Sequence, residues 1–146
     1  MRPSLIVGLS HVHRFTVTGA KTVPALYPEA EEFRSMPAVF ATGFMVGLFE
    51  WACIELLKPH LDPGEGSLGT AVDFSHVAAT PPGLTIAVTA TCNKIEGRSV
   101  EFRVSGHDGL DMIGEGTHRR AIVAWDRFTP RVADKLGRAK AAGLIL

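Results

Sequence analysis

The stretch FMVGLFEWACIELL, from Phe44 to Leu57, decides how the rest of this 146-residue sequence is interpreted. It is too long for an ordinary strand and Pro59 ends it, so it predicts a helix, with Thr42 as the N-cap and Gly43 at the first helical position. Apolar residues occupy nearly every side of this helix. We therefore expect the helix to be buried all round and wrapped by other elements.

Strand signals dominate the remainder of the chain. One alternating segment covers residues 11–18, before the helix. Four more segments rich in β-branched and aromatic residues follow it, separated by glycine-containing turns, at residues 68–79, 84–95, 98–107 and 112–125. Residues 24–36 predict a loop with a short helical turn, and residues 130–142 predict a second helix.

This order of elements predicts one α+β domain over residues 1–146. A curved antiparallel sheet wrapped around a central buried helix is the hotdog fold. A second copy of the chain would cover the helix surface that a single sheet leaves open, so we expect a homodimer.

Composition excludes several classes of protein. The chain balances 15 Lys and Arg against 15 Asp and Glu, whereas a general nucleic-acid binder shows a basic excess. The sequence contains no run of 18 apolar residues, so it predicts no membrane span, and the N-terminus lacks a signal-peptide pattern. Cys53 and Cys92 are isolated, which is typical of a reduced cytoplasmic protein. No HExxH or CxxC motif predicts a metal site.

Glu50 is the one charged residue between Phe44 and Ile54. A buried carboxylate is costly unless it is paired, hydrogen-bonded or protonated. One interpretation is a structural ion pair, or a helix face that opens to water. The other is a nucleophile or general base in an apolar pocket.

His76 lies in a segment that predicts a strand. By alternation it shares a face with Val72, Phe74 and Ala78, so we expect it to point inward from mid-strand, with Asp73 on the opposite face. An inward histidine is commonly a satisfied core residue, but beside an inward glutamate it becomes a possible acid–base partner.

Thr42 combines two possible roles at the helix start. A threonine hydroxyl at this position ordinarily caps the helix. The free N–H groups of the first helical turn can also form an oxyanion hole. Gly43 and Gly69, which lack side chains, would let a substrate carbonyl approach the backbone closely. Thr42 and Glu50 are eight residues apart, about 12 Å along a regular helix. We hypothesise that Thr42 meets His76, and that Glu50 arrives by a kink or from the partner subunit.

Other polar residues carry weaker signals. His11 and His13 share a strand face and are interpreted as surface residues. Arg119 and Arg120 could bind a phosphate, although a solvated strand edge is the commoner role for such a pair.

Several blocks of the sequence resemble the fluoroacetyl-CoA thioesterases, over about residues 10–128. The blocks are ATGFMVGLFEWAC at 41–53, PGEGSLGTA at 63–71, AATPPGLT at 78–85, EGR at 96–98, HDG at 107–109, and then Gly114, Gly116, Thr117, His118 and Arg120. The resemblance implies a homodimeric hotdog enzyme that hydrolyses a short acyl-CoA, such as fluoroacetyl-CoA, to the free acid and CoA. No cofactor is implied, because coenzyme A is part of the substrate.

The resemblance also implies the residues of the site. The catalytic Thr, Glu and His of that family fall on Thr42, Glu50 and His76. Gly69 falls in the thioester-binding region, and Arg120 is implied to contact CoA.

An aromatic lid near the acyl pocket is a further feature of the family. Phe33 matches it, whereas Met36 stands where a second lid phenylalanine aligns, a departure that bears on selectivity for fluorine more than on hydrolysis. With Val39 and Phe40, these side chains are expected to exclude water and limit acyl size.

Two other functions fit the same fold. Hydratases and dehydratases act on acyl thioesters through a His–Asp dyad, which requires an aspartate close to His76. A non-catalytic acyl-CoA-binding module would keep the pocket but tolerate the loss of Glu50.

Overall fold

The computed structural model describes residues 1–145, so position 146 of the predicted domain lies outside the described chain. The strands form one antiparallel sheet in the order β1-β3-β4-β5-β2. They are β1 Ser10–Thr16, β2 Glu65–Phe74, β3 Thr85–Glu96, β4 Ser99–His107 and β5 Met112–Ala124. The helices of the described residues are α1 Val23–Leu26, α2 Glu31–Arg34, α3 Thr42–Leu57 and α4 Trp125–Ala141.

The central helix α3 packs one side against the sheet, which confirms the predicted α+β hotdog architecture. Its buried side chains meet the inward side chains of the strands in one core; on α3 they are Met45, Leu48, Phe49, Ala52, Cys53, Leu56 and Leu57. The opposite side of α3 is open in a single chain, where Trp51 is 45% and Ile54 40% exposed. The predicted burial on all sides is therefore not reached by one chain alone.

Two hairpin turns order the middle of the sheet as predicted. The β3–β4 turn contains Gly97 at φ 59°, and the β4–β5 turn contains Gly109 at φ 97°. Both values lie in the left-handed region that favours glycine. Because β2 then pairs with β5 rather than with β3, β1 and β2 become the two edges of the sheet.

The C-terminal helix α4 begins five residues earlier than predicted. The prediction placed Pro130 at the helix start, where proline is common, but here Pro130 lies inside the helix. The start at Trp125 is held by tertiary contacts: the Trp125 N–H donates to the Gly64 carbonyl at 3.0 Å, and the indole covers Gly66 so closely that a Cβ there would lie 2.0 Å from the ring.

His13 is not the surface residue that the sequence suggested. Its ring packs against the indole of Trp51 in a tilted arrangement with the centroids 4.3 Å apart, and its Nε2 is shielded from solvent. His11 is half-buried beside it. The strand face that carries both residues therefore packs toward α3.

A buried hydrogen-bond network holds the loop that follows β2. The Thr80 hydroxyl donates to Oδ2 of Asp108 at 2.9 Å, and the Thr80 carbonyl accepts the Phe40 N–H at 2.8 Å. Oδ1 of Asp108 accepts the N–H groups of Leu110 and Asp111. The loop is thus tied both to the β4–β5 turn and to the segment that leads into α3.

Within residues 1–145, none of the helices has the length and hydropathy needed to cross a membrane.

Candidate active site

Thr42 and His76 form a hydrogen-bonded pair at the beginning of α3. Oγ1 of Thr42 lies 2.8 Å from Nδ1 of His76, so these two side chains meet as hypothesised. The capping prediction is wrong, because Ala41 is the N-cap residue and the Thr42 hydroxyl makes no capping hydrogen bond. The hydroxyl is directed to the imidazole instead.

His76 lies just beyond the end of β2, which corrects the mid-strand prediction. Its neighbours still follow β5, since the Ser75 N–H donates to the Glu115 carbonyl at 2.9 Å and the Val77 N–H to the Ile113 carbonyl at 2.7 Å. The histidine is therefore fixed by backbone bonds on both sides.

The imidazole of His76 is half-buried and points inward as expected. Its Nε2 is shielded from solvent and has no hydrogen-bond partner among residues 1–145. Burial lowers the pKa of His76 from its usual value of 6.5. Near neutral pH the ring is thus mostly uncharged, with Nδ1 engaged by Thr42 and Nε2 available.

The residues beside His76 follow the predicted faces only in part. Phe74 and Ala78 are half-buried and pack against the core, and Asp73 is exposed, as expected. The expectation that Val72 points inward is wrong, because Val72 is 48% exposed.

Glu50 lies on the open side of α3, with its side chain 35% exposed. Its Oε1 accepts a hydrogen bond from Nη1 of Arg120 at 3.0 Å, and Nε2 of His118 lies 3.7 Å away. The carboxylate is therefore ion-paired, which the sequence left as one of two interpretations. A paired carboxylate that still reaches solvent can also act on a ligand.

Arg120 is buried in the structure, and its expected contact with CoA remains a prediction. Its side chain is 5% exposed, and β5 lies between β4 and β2 instead of at a solvated edge. The guanidinium donates to Glu50, to the hydroxyl and carbonyl of Ser67, and to Nε2 of His118. These bonds occupy four of the five N–H groups, which directs Arg120 toward Glu50 and away from a phosphate in solvent.

His118 is a member of this cluster that sequence reasoning missed. It is 1% exposed, and its Nδ1 donates to the Ala71 carbonyl at 2.8 Å while Nε2 accepts from Arg120 at 3.1 Å. Burial, together with the charge of Arg120, lowers the pKa of His118 from 6.5. The available signal was the i, i+2 spacing, which puts His118 and Arg120 on one face of a strand.

Gly69 makes room for the Glu50 carboxylate. A Cβ at Gly69 would lie 2.6 Å from Oε1 of Glu50 and 3.2 Å from Cε1 of His118. The sequence therefore singled out a residue that the structure brings against Glu50. Its expected contact with a thioester remains a prediction.

Of the two alternatives for bringing Glu50 to Thr42, a kink in α3 finds no support in the structure. The helix is continuous from Thr42 to Leu57, so Thr42 and Glu50 in one chain are separated by about 12 Å along its axis. One chain therefore carries two separate groups, Thr42 with His76 and Glu50 with Arg120 and His118.

The predicted acyl-pocket residues are only partly brought together. Phe40 is 2% exposed and lines a cavity of about 170 Å³ with Phe44, Gly47, Trp51 and other residues. Phe33, Met36 and Val39 do not line that cavity.

The two residues expected to form the lid lie on and after the short helix α2. Phe33 packs against Tyr27 with ring centroids 5.6 Å apart, whereas Met36 is 47% exposed. At the start of α3, Leu26 approaches Gly43 so closely that a Cβ there would lie 3.1 Å from it. The segment before α3 therefore packs directly on the first helical turn.

Comparison with known proteins identifies the family. The sequence model of the fluoroacetyl-CoA-specific thioesterases matches residues 17–126. The fluoroacetyl-CoA thioesterase of Streptantibioticus cattleyicolor is 54% identical over 135 residues, which span 92% of this chain and 97% of that protein. This chain belongs to the fluoroacetyl-CoA-specific thioesterase family. The resemblance stated from the sequence blocks is thereby confirmed.

Solved structures agree with membership of the fluoroacetyl-CoA-specific thioesterase family. A structure of fluoroacetyl-CoA thioesterase, 55% identical, superimposes with a TM-score of 0.88 and covers 90% of this chain and 97% of its own. A thioesterase superfamily member from Thermus thermophilus is 31% identical, with a TM-score of 0.86, 97% of this chain and 99% of its own covered.

Proposed function

We propose that this protein hydrolyses the thioester bond of a short acyl-CoA, releasing CoA and the free acid. Membership of a thioesterase family supports the reaction class. The observation that carries the proposal is the Thr42–His76 pair, because it leaves an uncharged, inward-facing imidazole with a free Nε2 at the start of a helix. An imidazole in that state can accept a proton from water and return it to a leaving thiolate.

The complete site is proposed to form between two copies of the chain. Thr42 and His76 of one copy would face Glu50 of the other, since the unbroken α3 keeps Glu50 about 12 Å from Thr42 within one copy. The open side of α3, which carries Trp51 and Ile54, supplies the apolar surface that such a dimer would bury. The protein is thus proposed to be a homodimer.

The substrate carbonyl would lie at the beginning of α3. The N–H groups of the first helical turn have no intrahelical partner, and they can stabilise the negative charge that develops on the carbonyl oxygen. Gly43 is exposed at this turn, and the space that its side chain would take is filled by Leu26. Losing one oxyanion donor typically costs about 10²–10³ in rate.

Bond making and breaking then follow from the two groups. An oxygen nucleophile attacks the carbonyl carbon, the C–S bond breaks, and the CoA thiolate leaves with a proton delivered through His76. Thr42 orients the imidazole through Nδ1. Arg120 and His118 hold the Glu50 carboxylate against Gly69, which limits the orientations that Glu50 can adopt.

Two routes use this carboxylate, and isotope labelling separates them. Glu50 either attacks the carbonyl to form an anhydride, or activates a water molecule that attacks directly. In a single turnover in H2¹⁸O, attack by Glu50 followed by attack of water on the Glu50 carboxyl carbon of the anhydride yields a first product without label and leaves ¹⁸O in the protein, so label in the protein identifies the anhydride route. Direct attack by water places the label in the product at once.

The acyl group is proposed to be short, with fluoroacetyl-CoA among the substrates because the family is named for it. Met36 in place of a second lid phenylalanine should weaken selectivity for fluorine. A Met36→Phe variant is therefore expected to raise the preference for fluoroacetyl-CoA over acetyl-CoA, as measured by the ratio of kcat/KM values.

The test of the proposed function is thiol release, measured with DTNB for acetyl-, fluoroacetyl-, propionyl- and aryl-CoA. We expect turnover with the small acyl groups, and we expect Glu50→Gln and His76→Ala each to lower kcat far more than they change KM. Near-normal turnover in either variant would refute the assigned roles. Binding of acyl-CoA without thiol release, or hydration of an enoyl-CoA instead, would overturn the thioesterase proposal.

A further inference from the structure

An arginine-lined cleft lies at the start of α4, away from the proposed catalytic groups. It encloses about 480 Å³, and its lining includes Arg98, Arg127, Arg131, Phe128, Glu65 and Asp126. We call it the arginine cleft. The match to the family model ends at residue 126, so Arg127 and Arg131 lie beyond the part of the chain that the family defines.

The arginine cleft has a net positive charge, because the carboxylate of Asp126 in its lining offsets only one of the two unpaired arginines, Arg127 and Arg131. Arg98 is occupied, because it forms an ion pair with Glu65 and donates to the Ile122 carbonyl. Glu65 is further neutralised by the N-terminal amine of Met1. By contrast, Arg127 and Arg131 are exposed and have no carboxylate within 4.0 Å among residues 1–145.

A molecule that carries phosphates needs such a local excess, since the whole chain has a net charge of zero. The buried Arg120 cannot supply it, because four of its N–H groups are already bonded within the protein. Two exposed arginines on successive turns of one helix can bind separate phosphate oxygens. Phe128 lies between the two arginines in sequence, and its half-buried ring offers an apolar surface for a nucleotide base.

A second groove, which we call the connecting groove, adjoins the arginine cleft and borders the C-terminal half of α3. It is lined by Ile54, Ser67 and Trp125 among others, and Glu65 borders both spaces. Ser67 also accepts the hydrogen bond of Arg120, which in turn binds Glu50. Glu65 borders the arginine cleft, and Gly69 lies against Glu50. These two residues of β2 are about 13 Å apart along the strand, the length of an extended chain of about four residues.

The geometry points to the arginine cleft as the site for the phosphates of coenzyme A, with Phe128 against the adenine and the pantetheine arm in the connecting groove. This inference rests on the proposed function, because it names where the nucleotide end of the same substrate binds. It assigns substrate recognition to Arg127 and Arg131, which take no part in the chemistry.

Comparing two substrates tests the assignment. For an Arg127→Ala/Arg131→Ala double variant, KM for the acyl-CoA hydrolysed fastest should rise about tenfold while kcat stays within about twofold. KM for the same acyl group on pantetheine, which lacks the nucleotide, should change less than about twofold. An equal rise for both substrates, or no rise for acyl-CoA, would overturn the inference.

A matched control is available on the same helix. Lys140 is nine residues beyond Arg131, about 180° around the helix, so it faces away from the arginine cleft. Lys140→Ala removes a positive charge from α4 and should leave both KM values unchanged. An effect on KM as large as that of the double variant would show that general charge on α4, and not the cleft, is responsible.

Calorimetry with free CoA keeps this test separate from the proposed activity. If no acyl-CoA releases a thiol, the proposed function fails, but CoA binding is still measurable. The double variant should then bind CoA about tenfold more weakly than the wild type, while 3′-dephospho-CoA distinguishes a contact with the 3′-phosphate from one with the pyrophosphate. Equal CoA affinities would refute the cleft assignment whether or not hydrolysis is observed.

Discussion

At the first residue of α3, a hydroxyl orients a histidine 34 positions away. Replacing Thr42 by Val keeps the shape of the side chain but removes the 2.8 Å hydrogen bond to Nδ1. We expect Thr42→Val to lower kcat by about 10²-fold, which is within the range that a positioned acid–base group contributes to the rate. Thr42→Ser should retain most of the wild-type kcat. Steady-state kinetics would measure both. Equal rates for the two variants would show that the hydroxyl does not position His76.

Gly69 offers a second test at the scale of single residues. A methyl group at this position would lie 2.6 Å from Oε1 of Glu50, so the end of that side chain must move from its place beside Arg120, and 3.2 Å from Cε1 of His118, which must shift by a few tenths of an ångström. Gly69→Ala should therefore lower kcat by at least about tenfold, while the free energy of unfolding changes by less than about 1 kcal/mol. Urea denaturation and thiol release on the same preparation would check this. A large loss of stability would instead indicate that the backbone at Gly69 has shifted.

Single residues also mark where sequence reasoning was sufficient and where it stopped. Glu50 could be recognised because a lone carboxylate in an apolar helix requires an explanation. Its partner Arg120 could not, because the two residues are 70 positions apart and only strand register brings them together. A local pattern for Arg120 suggested a phosphate ligand, but in the structure its side chain is buried and bonded to Glu50, Ser67 and His118.

At the scale of elements, periodicity predicted the long helix and all five strands, but not every boundary. The start of α4 was misplaced because Trp125 is held by Gly64 and Gly66, contacts that no local signal encodes. The end of β2 was placed too late for a related reason, since the residues around His76 keep strand-like hydrogen bonds beyond Phe74.

The turn between β4 and β5 yields a prediction about pH. Burial alone would raise the pKa of Asp108, but hydrogen bonds from Asp111, Leu110 and Thr80 outweigh it and hold the pKa below 3.8. A carboxylate with a lowered folded-state pKa stabilises the fold above its unfolded pKa, and this contribution is lost as the pH falls through the folded value. Asp108→Asn should therefore cost about 1–2 kcal/mol at pH 7, and less at pH 3.

Urea denaturation at the two pH values would measure this difference. The exposed neighbour Asp111 provides the control, because only its backbone takes part in the turn: Asp111→Asn should change stability by less than about 0.5 kcal/mol. If Asp108→Asn were equally destabilising at pH 3 and pH 7, the contribution of Asp108 would come from shape and not from its charge.

At the scale of the whole molecule, the exposed apolar side of α3 is the feature that a single chain does not explain. The helix is apolar enough to be buried throughout, yet one chain leaves Trp51 and Ile54 exposed and keeps Glu50 apart from His76. Both features have the same explanation if a second copy covers α3. The sequence raised this possibility from the hydropathy of the helix, and the continuity of α3 now removes the alternative of a kink.

Mixing two inactive variants tests the shared site most directly. In a heterodimer of His76→Ala and Glu50→Gln chains, one site combines the intact His76 of one copy with the intact Glu50 of the other. Co-refolding equal amounts should then restore about a quarter of wild-type thiol release, because half of the dimers are mixed and each has one working site. A mixture of His76→Ala with Thr42→Val should gain nothing, since both changes fall in the same half of the site. Activity in the first mixture no higher than that of the separate variants would contradict a catalytic site shared between two copies.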